Sequence, residues 1–233
     1  MNYLNTQQLD LGADSQEDAQ ISTEALEIRC RQIQQQIDDS GNSNILDRTA
    51  LQHDLAKIQI QIGKNRQAWE NAIPGFKVYV NRQKWELATV VCDTLFRCDQ
   101  ADSLIALGHA LWISITFPVD MTLTIAQLQH VIDETPEDSD GAAVAAAVAA
   151  YVAELRSDQG THSDATLAIG QMLNDVARRH SNVQNQAEFD LWFKRLELDV
   201  PEKLLVRMRN IIDVLVQDQW WINRAELQAM IPE

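Results

Sequence analysis

The residues that could do chemistry are few and scattered along the chain. Five histidines and three cysteines are present, and the one suggestive pair is the dipeptide His53-Asp54. A metal-dependent phosphohydrolase would need further His and Asp ligands, including one upstream, and no histidine precedes His53. No histidine pair, and no glutamate with a histidine, has the spacing that places two ligands on one helix face. The sequence therefore predicts no metal site, unless carboxylates from separate helices converge in space.

Other signals of catalysis or cofactor binding are missing as well. The chain has only eight glycines, none arranged as a phosphate-binding loop, and no serine lies in a nucleophile elbow. Cys30, Cys92 and Cys98 lack a metal-type spacing, so we predict reduced thiols packed as small hydrophobic residues. His109 stands alone in an apolar stretch, which favours a buried histidine with satisfied hydrogen bonds. We expect a protein that is not an enzyme and that holds no cofactor.

The acidic residues form the strongest pattern. No Lys or Arg lies between Arg97 and Arg156, whereas nine acids do. Five of these acids fall within eight residues: Asp133, Glu134, Glu137, Asp138 and Asp140. They do not fit a calcium loop, which needs acids at alternating positions followed by a glycine and a glutamate at fixed places. Because like charges repel one another, the cluster is interpreted either as a solvated helix start, the commoner case, or as a docking patch for a basic protein surface.

Charge and hydropathy exclude some classes of protein. The net charge of −15 argues against a general nucleic-acid-binding protein, because phosphate contacts need clustered Lys and Arg. The charge-free run at residues 141–153 has 13 residues, fewer than the roughly 20 that cross a bilayer. The chain does not start with the pattern of a signal peptide. We expect a cytoplasmic protein that binds neither membranes nor nucleic acid directly.

Residues 135–156 predict a helix that carries the acidic cluster at its start. Thr135 is a candidate N-cap, with Pro136 at the first helical position. The body consists of Ala, Val and Tyr, and a helix that is apolar all round is usually buried. We therefore predict a central core helix with an exposed, charged first turn.

Residues 22–73 predict a helical hairpin with a turn at 39–44. Each arm has apolar residues at 4-3-4 spacing: Leu26, Cys30, Ile33 and Ile37, then Leu51, Leu55, Ile58 and Ile62. Two such stripes joined by a short polar loop are typical of an antiparallel coiled coil. The hairpin is interpreted either as packed on the domain or as an arm for oligomerisation or partner binding. Ile60 falls off the stripe and is expected to face a partner or the main body.

The remaining chain is divided by turn and capping signals. Residues 1–21 are predicted to be a flexible acidic tail, and Pro74-Gly75 is predicted to end the hairpin, which leaves residues 76–233 as a helical bundle. Further helices are predicted for about 20 residues from Phe76, over 104–115, from a capping box at Thr124, over 164–180, over 187–198, from Asp199 to about Trp221, and from Asn223. Residues 157–163 are predicted to be a loop. Trp220 and Trp221 are about 100° apart on a helix, so Trp221 is a candidate contact residue.

Together these patterns predict an all-α protein, with an N-terminal antiparallel coiled-coil helical hairpin followed by a multi-helix bundle with a central Ala-rich helix. The expected function is a non-enzymatic protein–protein interaction protein, such as an adaptor, assembly factor or chaperone-like protein. It would use the hairpin and the acidic surface to bind a partner with a basic surface, with self-association through residues 22–73 as an option. Two alternatives are an acidic DNA-mimic inhibitor or regulator of a nucleic-acid-binding protein, and a helical-bundle enzyme with a carboxylate metal site.

Overall fold

The computed structural model describes residues 7–41, 44–156 and 163–231, with side chains for 22–41, 44–156 and 165–231. Within these ranges the regular secondary structure is all helical and no strand is present, which confirms the all-α prediction. The helices of the described chain are α1 (Gln7–Asp39), α2 (Ile45–Gln61), α3 (Asn65–Asn81), α4 (Trp85–Arg97), α5 (Ser103–Thr116), α6 (Met121–Glu134), α7 (Asp140–Leu155), α8 (Ser163–Ser181), α9 (Gln186–Arg195), α10 (Pro201–Val216) and α11 (Arg224–Gln228). Residues 1–6 of the predicted tail and residues 157–162 of the predicted loop lie outside the described ranges, and α1 begins within the segment predicted as a tail.

The core is built around α5 and α7. Residues 105–114 of α5 and residues 142–149 of α7 are all buried. α7 packs against α6, α8 and α10, and its alanine side chains allow these neighbours to approach closely. The predicted central Ala-rich helix is therefore confirmed. In spite of this apolar body, no helix within the described ranges is both long and apolar enough to cross a membrane.

The start of α7 differs from the prediction. Thr135 is not an N-cap but follows the last residue of α6, and its hydroxyl donates to the Val131 carbonyl (2.9 Å). α7 begins at Asp140, where Ser139 is the N-cap and accepts a hydrogen bond from the Gly141 backbone N–H (3.1 Å). Thr and Ser are both favourable capping types. Because Thr135 bonds back to α6, the residues between it and Ser139 form a turn instead of a first helical turn.

Pro74 lies inside α3, so the predicted helix boundary at Pro74-Gly75 is wrong. Proline removes the N–H that would bond to the carbonyl four residues earlier. That residue is Glu70, and because Pro74 and Glu70 are both exposed, water can satisfy the carbonyl. The next residue, Gly75, is buried, and an added Cβ there would be 3.0 Å from the Thr49 side chain. The glycine thus allows α2 to approach α3.

Two further helix starts differ from the prediction. The 20-residue helix predicted from Phe76 is divided between α3 and α4, because Gln83 adopts a left-handed φ of 54°. α6 begins at Met121, and its N-cap Asp120 accepts hydrogen bonds from the second and third residues of the helix. The capping box predicted at Thr124 is wrong, since this residue is buried inside α6.

The C-terminal helices are partly as predicted. α10 begins at Pro201 without a side-chain cap, so the predicted cap at Asp199 is wrong. It ends at Val216, where the next residue has a left-handed φ of 51°, and does not continue to Trp221. Asn223 is the N-cap of α11, and its side chain accepts from a backbone N–H three residues later, as predicted.

α1 and α2 pack through a small apolar cluster that is separate from the main core. Its buried members are Ile33, Ile37 and Leu55, with Cys30, Leu51 and Ile58 packed against them. Ile60, off the predicted stripe, packs against the main core. Because α1 has 33 residues and α2 has 17, α1 is longer by about 24 Å. The packing is compatible with the predicted hairpin, and supercoiling of the two helices stays a prediction.

Two arginines tie helix ends together across the bundle. Arg156 donates to the carbonyls of Ser114 (2.7 Å) and Phe117 (2.9 Å) at the end of α5. Arg179 donates to the Ile132 carbonyl (2.7 Å) near the end of α6. The last carbonyls of a helix have no partner within the helix, and a cation there also suits the helix dipole. The Arg179 contact therefore fixes the end of α6 beside the acidic cluster, whereas Arg156 joins the end of α7 to the end of α5.

Candidate functional site

Four of the five clustered acids lie on one exposed turn. Asp133 and Glu134 end α6, and Glu137 and Asp138 lie in its connection to α7; we call these four residues the acidic turn. All four are exposed. No Lys, Arg or His of the described chain forms an ion pair with any of them within 4.0 Å. The acidic turn therefore presents four charges to solvent, and none of them is paired with a cation of the described residues within 4.0 Å.

The fifth acid, Asp140, has a different environment. Its two carboxylate oxygens lie 3.1 Å from Arg207 Nη2 and 3.1 Å from His180 Nε2. The other ring nitrogen of His180 accepts a hydrogen bond from Trp192 Nε1 (3.2 Å), so the proton of a neutral His180 lies on Nε2 and is donated to Asp140. Asp140 thus joins α7 to α8 and α10, and through His180 to α9. It belongs to the structural framework beneath the acidic turn.

The predicted contact residues of the hairpin lie mostly inside the chain's own packing. Ile33, Ile37 and Leu55 are buried, and Leu26, Leu51, Ile58 and Ile62 are half-buried. Most of them form the interface between α1 and α2. The hairpin stripe and the acidic turn belong to different helix pairs, α1–α2 and α6–α7, and so they do not form one site.

Trp221 is half-buried at the centre of an aromatic cluster. Its ring stacks on His109 with centroids 4.5 Å apart and an angle of 17° between the planes. Phe76 and Trp69 approach the same indole edge-on, at 5.5 Å and 6.2 Å. The backbone N–H of Trp221 donates to His109 Nε2 (2.9 Å). These contacts join residues far apart in the sequence, so no local spacing could have revealed the cluster.

His109 holds this cluster as a neutral ring. Its Nδ1 lies 2.8 Å from the Ile105 carbonyl and must donate to it, while Nε2 accepts from Trp221. Burial lowers the pKa of His109 to about 4, although the bond to Ile105 acts in the opposite direction. The prediction of a buried histidine with satisfied hydrogen bonds is confirmed.

Two further buried or half-buried contacts join α2 to α4 and α4 to α6. His53 is buried, lies 2.8 Å from Thr94 Oγ1, and has a pKa lowered to about 4, chiefly by burial. Asp93 lies 2.7 Å from His130 Nε2 and 2.8 Å from Arg97 Nε. Burial alone would raise the pKa of Asp93, but the hydrogen bond from His130 and the charge of Arg97 hold it below its usual value. Both arrangements tie helices together, and no spacing in the sequence indicates the Asp93–His130 pair.

Neither of these pairs forms a metal site. Among the residues that the structure describes, no group of three or more His, Cys, Asp or Glu side chains is placed to hold a metal ion. No family model, curated protein or solved structure matches this chain. The functional conclusion therefore rests on the geometry of the chain itself.

Proposed function

We propose that this chain is a non-enzymatic protein–protein interaction protein, and that the acidic turn binds a basic surface of its partner. The observation that carries the proposal is the exposure of four carboxylates within six residues, with no described cation of the chain at ion-pair distance. Such charges raise the local negative potential and attract basic groups from a distance. Lys and Arg side chains of a partner would relieve the repulsion among them.

The framework around the acidic turn supports this proposal. Thr135 bonds back to α6, Ser139 caps α7, and Asp140 is held by Arg207 and His180. The backbone that carries the charges is therefore fixed at both ends before any partner arrives. Prior ordering of a contact surface lowers the entropy lost on binding, so this turn is better suited to recognition than a loop without such anchors.

The capture experiment uses the full chain as bait in an extract of its source cells. One bait carries the changes Asp133→Asn, Glu134→Gln, Glu137→Gln and Asp138→Asn. The matched control carries Glu86→Gln, Asp199→Asn, Glu202→Gln and Asp218→Asn, which are four exposed acids elsewhere on the chain without a described ion pair. Both variants change the net charge equally, so they separate the position of the charges from their number.

A partner that uses the acidic turn should be retained by the natural chain and by the control, and lost from the acidic-turn variant. It should also be released by salt, because the Debye length falls from about 10 Å at 0.1 M to about 3 Å at 1 M. Capture that is identical on all three baits would contradict the proposal. If the partner binds nucleic acid and duplex DNA competes with the chain, the function is that of a DNA mimic.

We further propose that the outer face of the α1–α2 hairpin is a second contact surface, through which the chain self-associates. Ile28 on α1 and Ile45 at the start of α2 are 49% and 50% exposed, and a second copy of the chain that covered them would remove this apolar surface from water. Changing both residues to Gln should reduce the mass measured by light scattering towards that of a monomer. Leu167→Gln, at a residue that is 63% exposed on α8, is the control. A natural chain that is already monomeric would rule out this second surface.

A further inference from the structure

A small cavity lies beside the aromatic cluster, at the junction of α3, the start of α5 and the segment before α11. It has a volume of about 200 Å³. Its lining residues are Trp69, Ile73, Phe76, Lys77, Asp102 and Trp221. Phe76 is buried, whereas Lys77 and Asp102 are exposed. The cavity therefore has an aromatic interior and a charged rim.

The aromatic walls are held in place before any ligand binds. The indole of Trp221 is stacked on His109, and its backbone N–H is bonded to the same ring. Phe76 and Trp69 stand nearly perpendicular to that indole, at 75° and 83°. Rings fixed in this way can receive a further ring in the offset or edge-on geometries that aromatic groups prefer.

The two charges at the rim have no partner within the described chain. Lys77 and Asp102 line the same cavity but form no ion pair within 4.0 Å, with each other or with another described residue. Asp102 precedes α5 directly, yet its side chain makes no capping hydrogen bond. Because the two charges do not pair with each other, each is available to pair with the opposite charge of a ligand that carries both a positive and a negative group.

We propose that this cavity binds a small aromatic zwitterion, that is, a free aromatic amino acid. The ring of the ligand would lie among Trp69, Phe76 and Trp221, with its carboxylate on Lys77 and its ammonium on Asp102. Sites for drug-sized ligands usually enclose about 300–1,000 Å³, so a cavity of about 200 Å³ suits a ligand with one ring or two fused rings. This site is separate from the acidic turn, and the inference does not depend on the protein-binding function.

Isothermal titration of the full chain tests the inference with three related ligands. L-Tryptophan carries both charges, tryptamine lacks the carboxylate, and indole-3-propionate lacks the ammonium. L-Tryptophan should bind with a Kd below about 1 mM, which is in the range expected for a ligand of this size. The other two should bind at least about fivefold more weakly, because each loses one charge-assisted contact. No measurable heat with L-tryptophan, or equal affinity for all three ligands, would overturn the inference.

Two surface variants assign each charge to its partner. Lys77→Met should weaken L-tryptophan at least about fivefold and leave tryptamine unchanged, because tryptamine has no carboxylate to lose. Asp102→Asn should weaken L-tryptophan and leave indole-3-propionate unchanged. Lys194→Met and Asp218→Asn, at exposed residues that do not line the cavity, are the controls. If Lys77→Met and Asp102→Asn bind L-tryptophan as tightly as the controls do, the proposed site is wrong.

Discussion

The body of α7 and the acidic turn before it are neighbours in the sequence but lie in opposite environments. Ala146 and Ala149 are fully buried, whereas Glu137 and Asp138 are exposed. Only Ser139 and the start of α7 separate them. One short segment of the chain thus supplies both the packing centre of the fold and a charged surface that packing does not need. Changes on the buried side should alter stability, and changes on the exposed side should alter binding.

The largest effect expected for the buried side comes from protonation of two histidines. Burial lowers the pKa of His53 and of His109 from 6.5 to about 4. Between these pH values the unfolded chain binds more protons than the folded chain, so stability is complete above about pH 6.5 and is lost as the pH falls towards 4. Each histidine should contribute a loss of about 2 kcal/mol between about pH 7 and about pH 4.5. Denaturant unfolding at about pH 7 and about pH 4.5 measures this loss.

His53→Gln sharpens this prediction, because Gln can still donate to Thr94 but does not titrate. The variant should lose roughly half of the pH dependence, whatever its stability at neutral pH. Asp93, whose pKa is held below 3.8, contributes its own loss only at lower pH. A free energy of unfolding that stays constant from about pH 7 to about pH 4.5 would show that the buried histidines are not held neutral.

Overpacking of α7 should give the next largest effect. Ala146 is fully buried in a helix that packs against α6, α8 and α10, so Ala146→Leu should cost about 1–3 kcal/mol of stability. The same change at Ala168, which is exposed on α8, should alter stability by less than about 0.5 kcal/mol. Thermal unfolding of the two variants measures the difference. Equal melting temperatures would mean that α7 is not the packing centre.

Gly→Ala changes at two positions test the packing of α5 and α8 with a single added methyl group. A Cβ at Gly108 in α5 would lie 2.5 Å from Val216 Cγ2, so Gly108→Ala should destabilise the chain by about 1–3 kcal/mol. At Gly170 in α8 nothing lies within 4 Å of the added Cβ, and Gly170→Ala should stabilise by about 0.4–1 kcal/mol. Denaturant unfolding of both variants tests the opposite signs. Stabilisation by both changes would show that α5 and α10 are not as closely packed as described.

The helical class and the buried core could be predicted from the sequence because they depend on local periodicity and composition. The Ala-rich run at residues 142–149 has no polar residue and is buried, as predicted. The cap at Asn223 was also predictable, because Asn followed by Glu226 is a local signal. The start of α7 was not predictable in the same way, because Thr135, the predicted N-cap, and Ser139, the N-cap in the structure, are both favourable capping types. Which one begins α7 is decided by where α6 ends, and that depends on tertiary packing.

Contacts between distant residues could not be predicted from spacing. Arg156 satisfies the carbonyls at the end of α5, about 40 residues earlier, and its own sequence position gives no sign of this. Trp221 was singled out only because it is adjacent to Trp220, whereas its environment is set by His109. The helix boundary predicted at Pro74-Gly75 was wrong because a proline can lie inside a helix when water can reach the carbonyl four residues earlier. Here that residue is Glu70, and its exposure depends on the folded surface and not on the local sequence.

The smallest changes in stability are expected for Asp140 and for the acidic turn, and the change at Asp140 should be the larger of the two. Asp140→Asn weakens the contacts with Arg207 and His180 and removes a charge from the first turn of α7. It should cost about 1 kcal/mol, because the Asp140 side chain is 58% exposed and exposed ion pairs contribute little. Asp138→Asn should change stability by less than about 0.5 kcal/mol. A loss at Asp138 as large as that at Asp140 would show that the acidic turn stabilises the fold.

The most direct test of the central claim is the affinity of the captured partner for the purified chain as a function of salt. The natural chain and the control variant with four acids changed elsewhere should bind equally, with a Kd that rises steeply between about 0.05 M and 0.5 M NaCl. The acidic-turn variant should bind at least about tenfold more weakly at low salt, lose most of the salt dependence, and keep the same melting temperature. Equal binding and equal salt dependence for all three proteins would contradict the claim that the acidic turn is the contact surface.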